Sequence, residues 1–474
     1  MWRLIYNIVL LVVSPVIVAI LLAKKRCRPG LLQRLGLGNS LSGLSGLSGL
    51  SRRPDLPDRP DKPDRLDRPP QPVIWVHAVS LGEVVAVTPL VNELHRRHPE
   101  YRLVVSTVTE TGREAVEQRL AGVADHCYAP LDFPCVVSRF IERLQPSLYI
   151  FVETELWPNL LWHLRRRGVP TALVNGRLST RSFARQQWAP VRSFYRTMLQ
   201  TLSLCLMQSD RDVDRIVALG AEASRVRRTG NIKFDQPIPA VTEGGSTRAG
   251  LGLQDTEQLF VAGSTHPGEE ETLVECYRAL LTRCPSAVLL LAPRHIERAE
   301  SVEAMIRAHG LAVQRRSTIG QAGALRSTGP RVVLLDSRGE LAAIYREAVV
   351  AFVGGTLVPI GGHNLLEPAQ WAKPVLFGPY TDHCAEIADL LIQAGGGRRV
   401  LHADDLRQQV VALFSDDEER ERMGRSARQV VEQNQGALQQ TLEAIDRLLT
   451  PKQGLKAEGL KAEGSKLATG NSGR

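Results

Sequence analysis

A chain of 474 residues, 43% hydrophobic and 23% charged, is long enough for roughly two to four domains and can bury large cores. A net charge of +9 points to an anionic partner: a negatively charged substrate, a membrane surface or nucleic acid. The seven cysteines are odd in number, scattered and never in a C-x-x-C pair, which argues against a disulfide framework or a zinc ribbon and fits a reducing compartment.

The chain opens on an uncharged apolar run, Leu4 to Ala23, about 20 residues and so long enough to cross a hydrocarbon core of roughly 30 Å. Lys24, Lys25, Arg26 and Arg28 follow it, with only Arg3 before. A cleavable signal carries its charge the other way round, and the positive-inside rule leaves the rest of the chain in the cytoplasm. Asn7, Ser14 and Pro15 interrupt the run, so a helix lying within the inner leaflet stays open beside a spanning one. Residues 1–35 are read as anchor and basic flank. Residues 36–72 carry a Leu-Ser-Gly repeat and then an Arg/Lys-Pro-Asp theme, the composition of a flexible linker.

From residue 73 short apolar runs alternate with longer amphipathic ones. Strands are expected at 73–79, 102–108, 148–152, 171–175 and 204–208, then at 259–264, 287–293, 331–336, 349–355 and 373–378. Strands alternating with helices predict parallel sheets covered on both faces. The Pro/Gly/Thr/Glu-rich break near 236–257 separates two series. This predicts an α/β chain of two Rossmann-like domains facing a central cleft, an N-terminal one over 73–240 and a C-terminal one over 241–448. A disordered tail over 449–474 repeats LKAEG. Ligands of such sheets sit at the carboxyl ends of the strands.

The polar residues at those ends are the candidates. In VIWVHAVSLGE (73–83) Gly82 permits a tight turn, and Glu83 falls at a helix start where the dipole favours its ionised form, as a general base requires. FVETELWP (151–158) runs a buried strand into Glu153 and Glu155 before Trp157-Pro158 starts a helix. NGRLSTRSF (175–183) offers Asn175, Arg177, Ser179 and Arg181 to anions or hydroxyls, or as a solvated loop. GNIKFD (230–235) puts Lys233 at the domain junction, where a cation stabilises developing negative charge. In the second series AGSTHPGEEE (262–271), LAPRHIER (291–298) and DSRGELAAIYREA (336–348) each leave a strand. FVGGTLVPIGGHNLLEPAQW (352–371) is the richest stretch: its Gly361-Gly362 turn leads into a helix whose bare amides suit a phosphate, with Glu367 a turn beyond Asn364. P-loop, dinucleotide, nucleophile-elbow and H-E-x-x-H signatures are all missing from the sequence.

HAVSLGE (77–83), VETELWPNL (152–160), NGRLSTRS (175–182), GNIKFD (230–235), STHPGEE (264–270), APRH (292–295) and VGGTLVPIGGHNLLEPA (353–369) together resemble the bacterial 3-deoxy-D-manno-octulosonic acid (Kdo) transferases, in order, over about residues 73–440. The resemblance implies a GT-B glycosyltransferase that moves Kdo from CMP-Kdo to a lipid A precursor (lipid IV-A) with inversion, for lipopolysaccharide core synthesis. It implies Glu83 as catalytic base, with Glu153 and Lys233 assisting the transition state. It assigns CMP contacts to Pro293 and Arg294, to Arg338, Gly339 and Glu340, and to Asn364, Leu365, Leu366 and Glu367. Leu365 is a mild departure from the Asn-Pro/Ile-Leu-Glu pattern at that site. No metal, cofactor or nucleic acid is expected. The expected partners are CMP-Kdo, the lipid acceptor and inner-membrane lipid, with the catalytic body facing the cytoplasm. Two other classes stay open: a GT-B epimerase acting on a free sugar nucleotide, which needs no acceptor or anchor, and a non-catalytic membrane scaffold.

Overall fold

The computed structural model describes residues 1–23, 30–37, 71–237, 248–319 and 329–450. The expected basic flank at 24–28, most of the 36–72 linker and all but the first two residues of the 449–474 tail lie outside the described residues. The chain divides into two units: residues 1–232 with 436–474, and residues 233–435.

The first unit is built on strands β1 (Val73–His77), β2 (Arg102–Thr107), β3 (Asp125–Tyr128), β4 (Pro146–Val152), β5 (Thr171–Gly176), β6 (Leu204–Met207) and β7 (Val226–Arg228). They form one sheet in the order β3-β2-β1-β4-β5-β6-β7, every pair parallel. All five residues of β1 are buried, because helices cover both faces, and alternate side chains enter two separate apolar clusters. Ile74 and Val76 join one, Val73 and Trp75 the other. The second unit repeats the plan with β8 (Gln258–Thr265), β9 (Ala287–Pro293), β10 (Ala312–Arg315), β11 (Arg331–Leu334), β12 (Ala348–Val353), β13 (Val375–Phe377) and β14 (Gly397–Arg399). Their order is β10-β11-β9-β8-β12-β13-β14, again all parallel.

All ten expected strands are present. The four unforeseen ones, β3, β7, β10 and β14, are the four sheet edges. An edge strand is covered less fully, so its sequence need not be an apolar run: DHCY, VRR, AVQR and GRR.

The boundaries also differ from expectation. Unit 2 begins at Lys233 rather than near 241 and ends at Gln435 rather than 448. The final helix, Ala437–Leu449, joins unit 1: Leu442 and Ile445 enter one core cluster with Ile74, Val84 and Val87. Asp446 accepts hydrogen bonds from Arg97 (3.0 Å) and pairs with His98 (2.7 Å).

The N-terminal helix runs Trp2–Ala23 with Pro15 inside it. Among the described residues no helix is long and apolar enough to cross a membrane, so the spanning reading finds no support there. One side of this helix is docked on unit 1. Trp2 Nε1 donates to Ser193 Oγ (2.9 Å), Tyr6 OH donates to Asp132 Oδ2 (2.9 Å), and Asn159 Nδ2 donates to Asn7 Oδ1 (2.8 Å). Asp132 is buried and also accepts the N–H groups of Asn159 and Leu160, where the helix Pro158–Arg166 begins. Leu4, Ile8, Leu11 and Val12 are exposed.

The final helix carries a testable consequence. Ile445→Ala removes a fully buried side chain from the core that includes β1, and should destabilise unit 1 by about 2–5 kcal/mol. Denaturant unfolding followed by Trp75 fluorescence measures it. A change below about 0.5 kcal/mol would show that the helix is not part of that core.

Candidate functional site

In each sheet the chain builds outward from two adjacent strands in opposite directions, from β1 and β4 in unit 1 and from β8 and β12 in unit 2. Ligands of open α/β sheets bind at the carboxyl ends of the strands beside such a point. The candidate residues gather at these two points.

In unit 1, β1 leads to Ser80, the N-cap of the helix Leu81–Arg97. Glu83, in the first turn, reaches back: Oε2 accepts the Val79 N–H (2.8 Å) and Oε1 accepts the Ser80 hydroxyl (3.1 Å), much as the glutamate of a capping box does. These bonds favour the ionised form, as does the helix N-terminus. Burial outweighs them. It pushes the carboxyl up from its usual 4.5 to about 7, with the charges of Glu153 and Glu155 adding to the rise. The expected low-lying carboxylate is therefore one that titrates near neutrality. Gly82 is helical rather than a turn residue, and nothing lies near the place of its missing Cβ.

β4 leads to Glu153, which has a left-handed backbone (φ 57°) and donates its N–H to Val174 O (3.0 Å). A non-glycine residue held in that region stores strain, and such strain clusters at functional positions. Glu153, Thr154, Arg177, Ser179, Ser182 and Gln186 line a polar cavity of about 260 Å³.

Asn175 is not an anion ligand but a strut. It is fully buried with φ 53°. Its Oδ1 accepts the Ile232 N–H (3.1 Å) and its carbonyl accepts Gln208 Nε2 (3.0 Å), while Gln208 Oε1 accepts Asn231 Nδ2 (3.2 Å). This amide network fixes the chain immediately before Lys233. Ser179 likewise caps a helix, accepting the Ser182 N–H (3.2 Å), and Arg181 is exposed.

In unit 2 the exits of β8 and β12 are bound by one carboxylate. Glu269 is fully buried, and burial raises its pKa against the pull of its hydrogen bonds. Its Oε2 accepts the N–H groups of His266 (2.9 Å) and Gly355 (2.8 Å), and its Oε1 those of Thr356 (3.0 Å) and Leu357 (2.9 Å). The loops touch so closely that a Cβ on Gly354 would lie 2.5 Å from Ser264 O, which only glycine allows. His266 and His363, one from each loop, meet with Nε2 atoms 2.7 Å apart.

One amide of the expected glycine-turn cradle is engaged within the protein. Gly361 and Gly362 do have positive φ (107° and 84°), but the Gly362 N–H donates to Gly355 O (2.8 Å). The helix beyond begins only at Leu366 and is five residues long. Asn364 Oδ1 accepts the Leu366 N–H (3.1 Å), and its Nδ2 donates to Glu367 (3.2 Å). Leu365 and Leu366 bury their side chains beside Phe234 and Val353, so only their backbone can meet a ligand.

Pro293 ends β9, and the Arg294 N–H donates to Thr265 O (2.9 Å) with its side chain exposed. After β11, exposed Arg338 pairs with Glu297 (2.8 Å). Gly339 has φ 89°, and Glu340 accepts from Ser337 (2.6 Å) and Arg316 (3.0 Å). Unit 1 thus brings Glu83, Glu153 and Glu155 together. Unit 2 joins Asn364 to Glu367 and puts Arg294 within electrostatic reach of His363, while Arg338, Gly339 and Glu340 follow β11. Lys233 opens unit 2. Sequence reading marked the stretch AGSTHPGEEE (262–271) but gave neither His266 nor Glu269 a role within it. Among the described residues no group of three His, Cys, Asp or Glu side chains could hold a metal ion.

Comparison with known proteins bears on this arrangement. The family model described as 3-Deoxy-D-manno-octulosonic-acid transferase (kdotransferase) matches residues 52–236. The chain is 36% identical over 452 residues to the 3-deoxy-D-manno-octulosonic acid transferase of Haemophilus influenzae, covering 94% of this chain and 98% of the relative. It is 35% identical over 385 residues to the same-named protein of Bordetella pertussis, covering 79% and 86%. Among solved structures it is similar in fold to the UDP-GlcNAc 2-epimerase of Neisseria meningitidis (TM-score 0.55, 12% identity, 79% of this chain and 100% of that one). It is also similar to a glycosyltransferase of Rickettsia africae (TM-score 0.53, 12% identity, 80% and 99%). At such low identity these likenesses speak for the fold alone.

The four-amide clamp yields a prediction. Glu269→Gln replaces an oxygen acceptor with an NH₂ that faces backbone N–H groups, leaving buried donors unpaired at about 1–3 kcal/mol each. Unit 2 should lose on the order of 2–4 kcal/mol in denaturant unfolding, whereas Glu271→Gln on the same helix should lose almost nothing. Equal stability of the two variants would contradict the clamp.

Proposed function

The chain belongs to the bacterial 3-deoxy-D-manno-octulosonic acid transferases, and from that premise we propose that it moves Kdo from CMP-Kdo onto a lipid A precursor (lipid IV-A), with inversion at the anomeric carbon. It is a glycosyltransferase that uses CMP-Kdo. In the proposed reaction a hydroxyl of the lipid acceptor attacks the anomeric carbon while Glu83 takes its proton. The bond from that carbon to the CMP phosphate oxygen breaks, and CMP leaves as a phosphate that needs no proton to depart. Glu153 and Lys233 stabilise the transition state. Pro293, Arg294, Arg338, Gly339, Glu340, Asn364, Leu365, Leu366 and Glu367 hold the nucleotide, the two leucines through their backbone.

The observation that carries this reading is the Glu83 carboxyl. A general base works best when its pKa lies near the working pH, and burial beside Glu153 and Glu155 brings Glu83 to about 7. A folded-state pKa raised from 4.5 to about 7 has a stated sign. The native state loses stability as pH rises through that window, because it must ionise a buried group. The rate rises over the upper part of the same window, because only the ionised form accepts a proton.

Transfer of labelled Kdo from CMP-Kdo into extractable lipid, dependent on added acceptor, tests the activity. Label released only into water would sink it. In this assay turnover should climb with pH through about 7. Glu83→Gln should cost at least about a hundred-fold and should melt higher than wild type at pH 8, where ionised Glu83 costs on the order of 1–3 kcal/mol. Near-normal turnover in Glu83→Gln, with Glu153→Gln inactive, would transfer the role of base to Glu153.

We further propose that the protein works at the cytoplasmic face of the inner membrane with its N-terminal helix in the plane of the surface. Supporting this are the docked side formed by Trp2, Tyr6 and Asn7 and the exposed Leu4, Ile8, Leu11 and Val12. A helix that buries one side on lipid and the other on protein behaves so. Leu11→Asp with Val12→Asp should release most of the protein from sedimenting anionic vesicles. Undiminished sedimentation would contradict the in-plane helix.

A further inference from the structure

The nucleotide site leaves a question of charge, since the Gly362 amide is already taken and the helix after it is short. At the ends of β8 and β12, His266 and His363 lie with ring planes 3° apart, centroids 5.1 Å apart and Nε2 atoms 2.7 Å apart. Together these values set the rings edge to edge in one plane, the geometry of an in-line N–H···N bond. One Nε2 therefore carries the proton and the other is bare. The neutral pair has room for one more proton, on the outer Nδ1 of the donating ring. The N–H···N bond survives that addition and the pair gains one positive charge. A second added proton would set two N–H groups face to face and break the bond.

The surroundings keep the pair neutral. The His295 ring stands 5.9 Å from His266, and His383 packs against Gly361. Burial opposes protonation of His363 most, and a charge on His266, Arg294, His383 or His295 opposes it further. His266 is lowered too, first by burial and then by His295, Arg294 and Arg298, with Glu270 acting the other way. Arg298 is itself neutralised by Glu270 (2.8 Å), and Glu269 is engaged by four amides. A phosphate bound beside Arg294 would favour the protonated pair.

We propose that His266 and His363 form a proton-sharing phosphate receptor, which takes one proton from solvent when the nucleotide phosphate binds and returns it when CMP leaves. This rests on the donor-site reading above. The phosphate supplies negative charge, so the pair can hold the proton that burial and Arg294 otherwise deny it. During transfer the phosphate oxygen gains charge as its bond to the sugar breaks, and an imidazolium is already in place to meet it. His266 and His363 act by binding, and Glu83 remains the group that accepts the acceptor's proton.

Calorimetry with CMP tests this on the full chain. The titrations are run near pH 8, above the second phosphate pKa of about 6, in two non-phosphate buffers of different ionisation heat. Wild type should take up between a few tenths of a proton and about one proton per CMP bound. Its affinity should fall by up to about ten-fold per pH unit above neutrality. His363→Gln and His266→Gln, checked by thermal melts, should bind CMP with no uptake and a flatter pH dependence. CMP binding to wild type without proton exchange would overturn the receptor and leave the transferase reading intact. Failure of wild type to bind CMP would overturn both. Undiminished uptake in both variants would move the proton elsewhere and overturn the pair. Should either variant fail to fold, the wild-type comparison of two buffers decides alone.

Discussion

Backbone N–H groups of loops hold carboxylates within this protein, and both candidate sites and the N-terminal helix depend on three of them. Glu269 accepts four amides, Asp132 accepts two and a tyrosine hydroxyl, and Glu83 accepts one and a serine hydroxyl. A buried charge is costly unless it is paired or well hydrogen-bonded, so the supply of donors decides what each acid can do. Glu269, with the fullest set, is a fastener that binds two loops into one surface. Asp132 starts a helix and receives the N-terminal one, its pKa raised to about 6. Glu83 has the thinnest set and two acidic neighbours, and it is the one poised near neutrality.

The backbone at the strand exits shows the same preference for function over comfort. Glu153, Asn175 and Ser264 all take left-handed conformations that L-residues avoid, and each ends or follows a strand next to a candidate site. Their strain is sustained by neighbours: Val174 O for Glu153, and for Asn175 the bonds to Ile232 and Gln208. Strain of this kind costs on the order of 1–3 kcal/mol per residue and holds polar groups at strand ends that a relaxed turn would carry away.

Much of this was legible in the sequence, and its gaps have physical causes. Buried central strands such as VIWVH and AVLLLAP announce themselves because both faces must be apolar. The edge strands do not, because DHCY and GRR are half-covered and need no such run. Glu83 and Glu153 stood out as acids at the ends of apolar runs. Glu269 did not, since one glutamate in GEEE reads like any other acidic helix start, and only the loop from β12 supplies its partners. His266 and His363 lie 97 residues apart, so no local pattern joins them. The last helix looked like the end of the second domain because its amphipathic pattern fits any sheet, and long-range packing alone assigns it to unit 1. The N-terminal run suggested a membrane span by its hydrophobicity, while Trp2, Tyr6 and Asn7 mark the side that docks on protein.

The central claim is that burial turns an ordinary helix-capping glutamate into a base that changes protonation near neutral pH. The most direct test is to titrate the Glu83 carboxyl itself, by carbon-13 NMR on protein labelled at glutamate side-chain carboxyls. Its signal is identified by its loss in Glu83→Gln. The account predicts that this carboxyl titrates at about 7, well apart from exposed glutamates. A midpoint at the usual 4.5 would contradict it, because the group would then be a helix cap and no more.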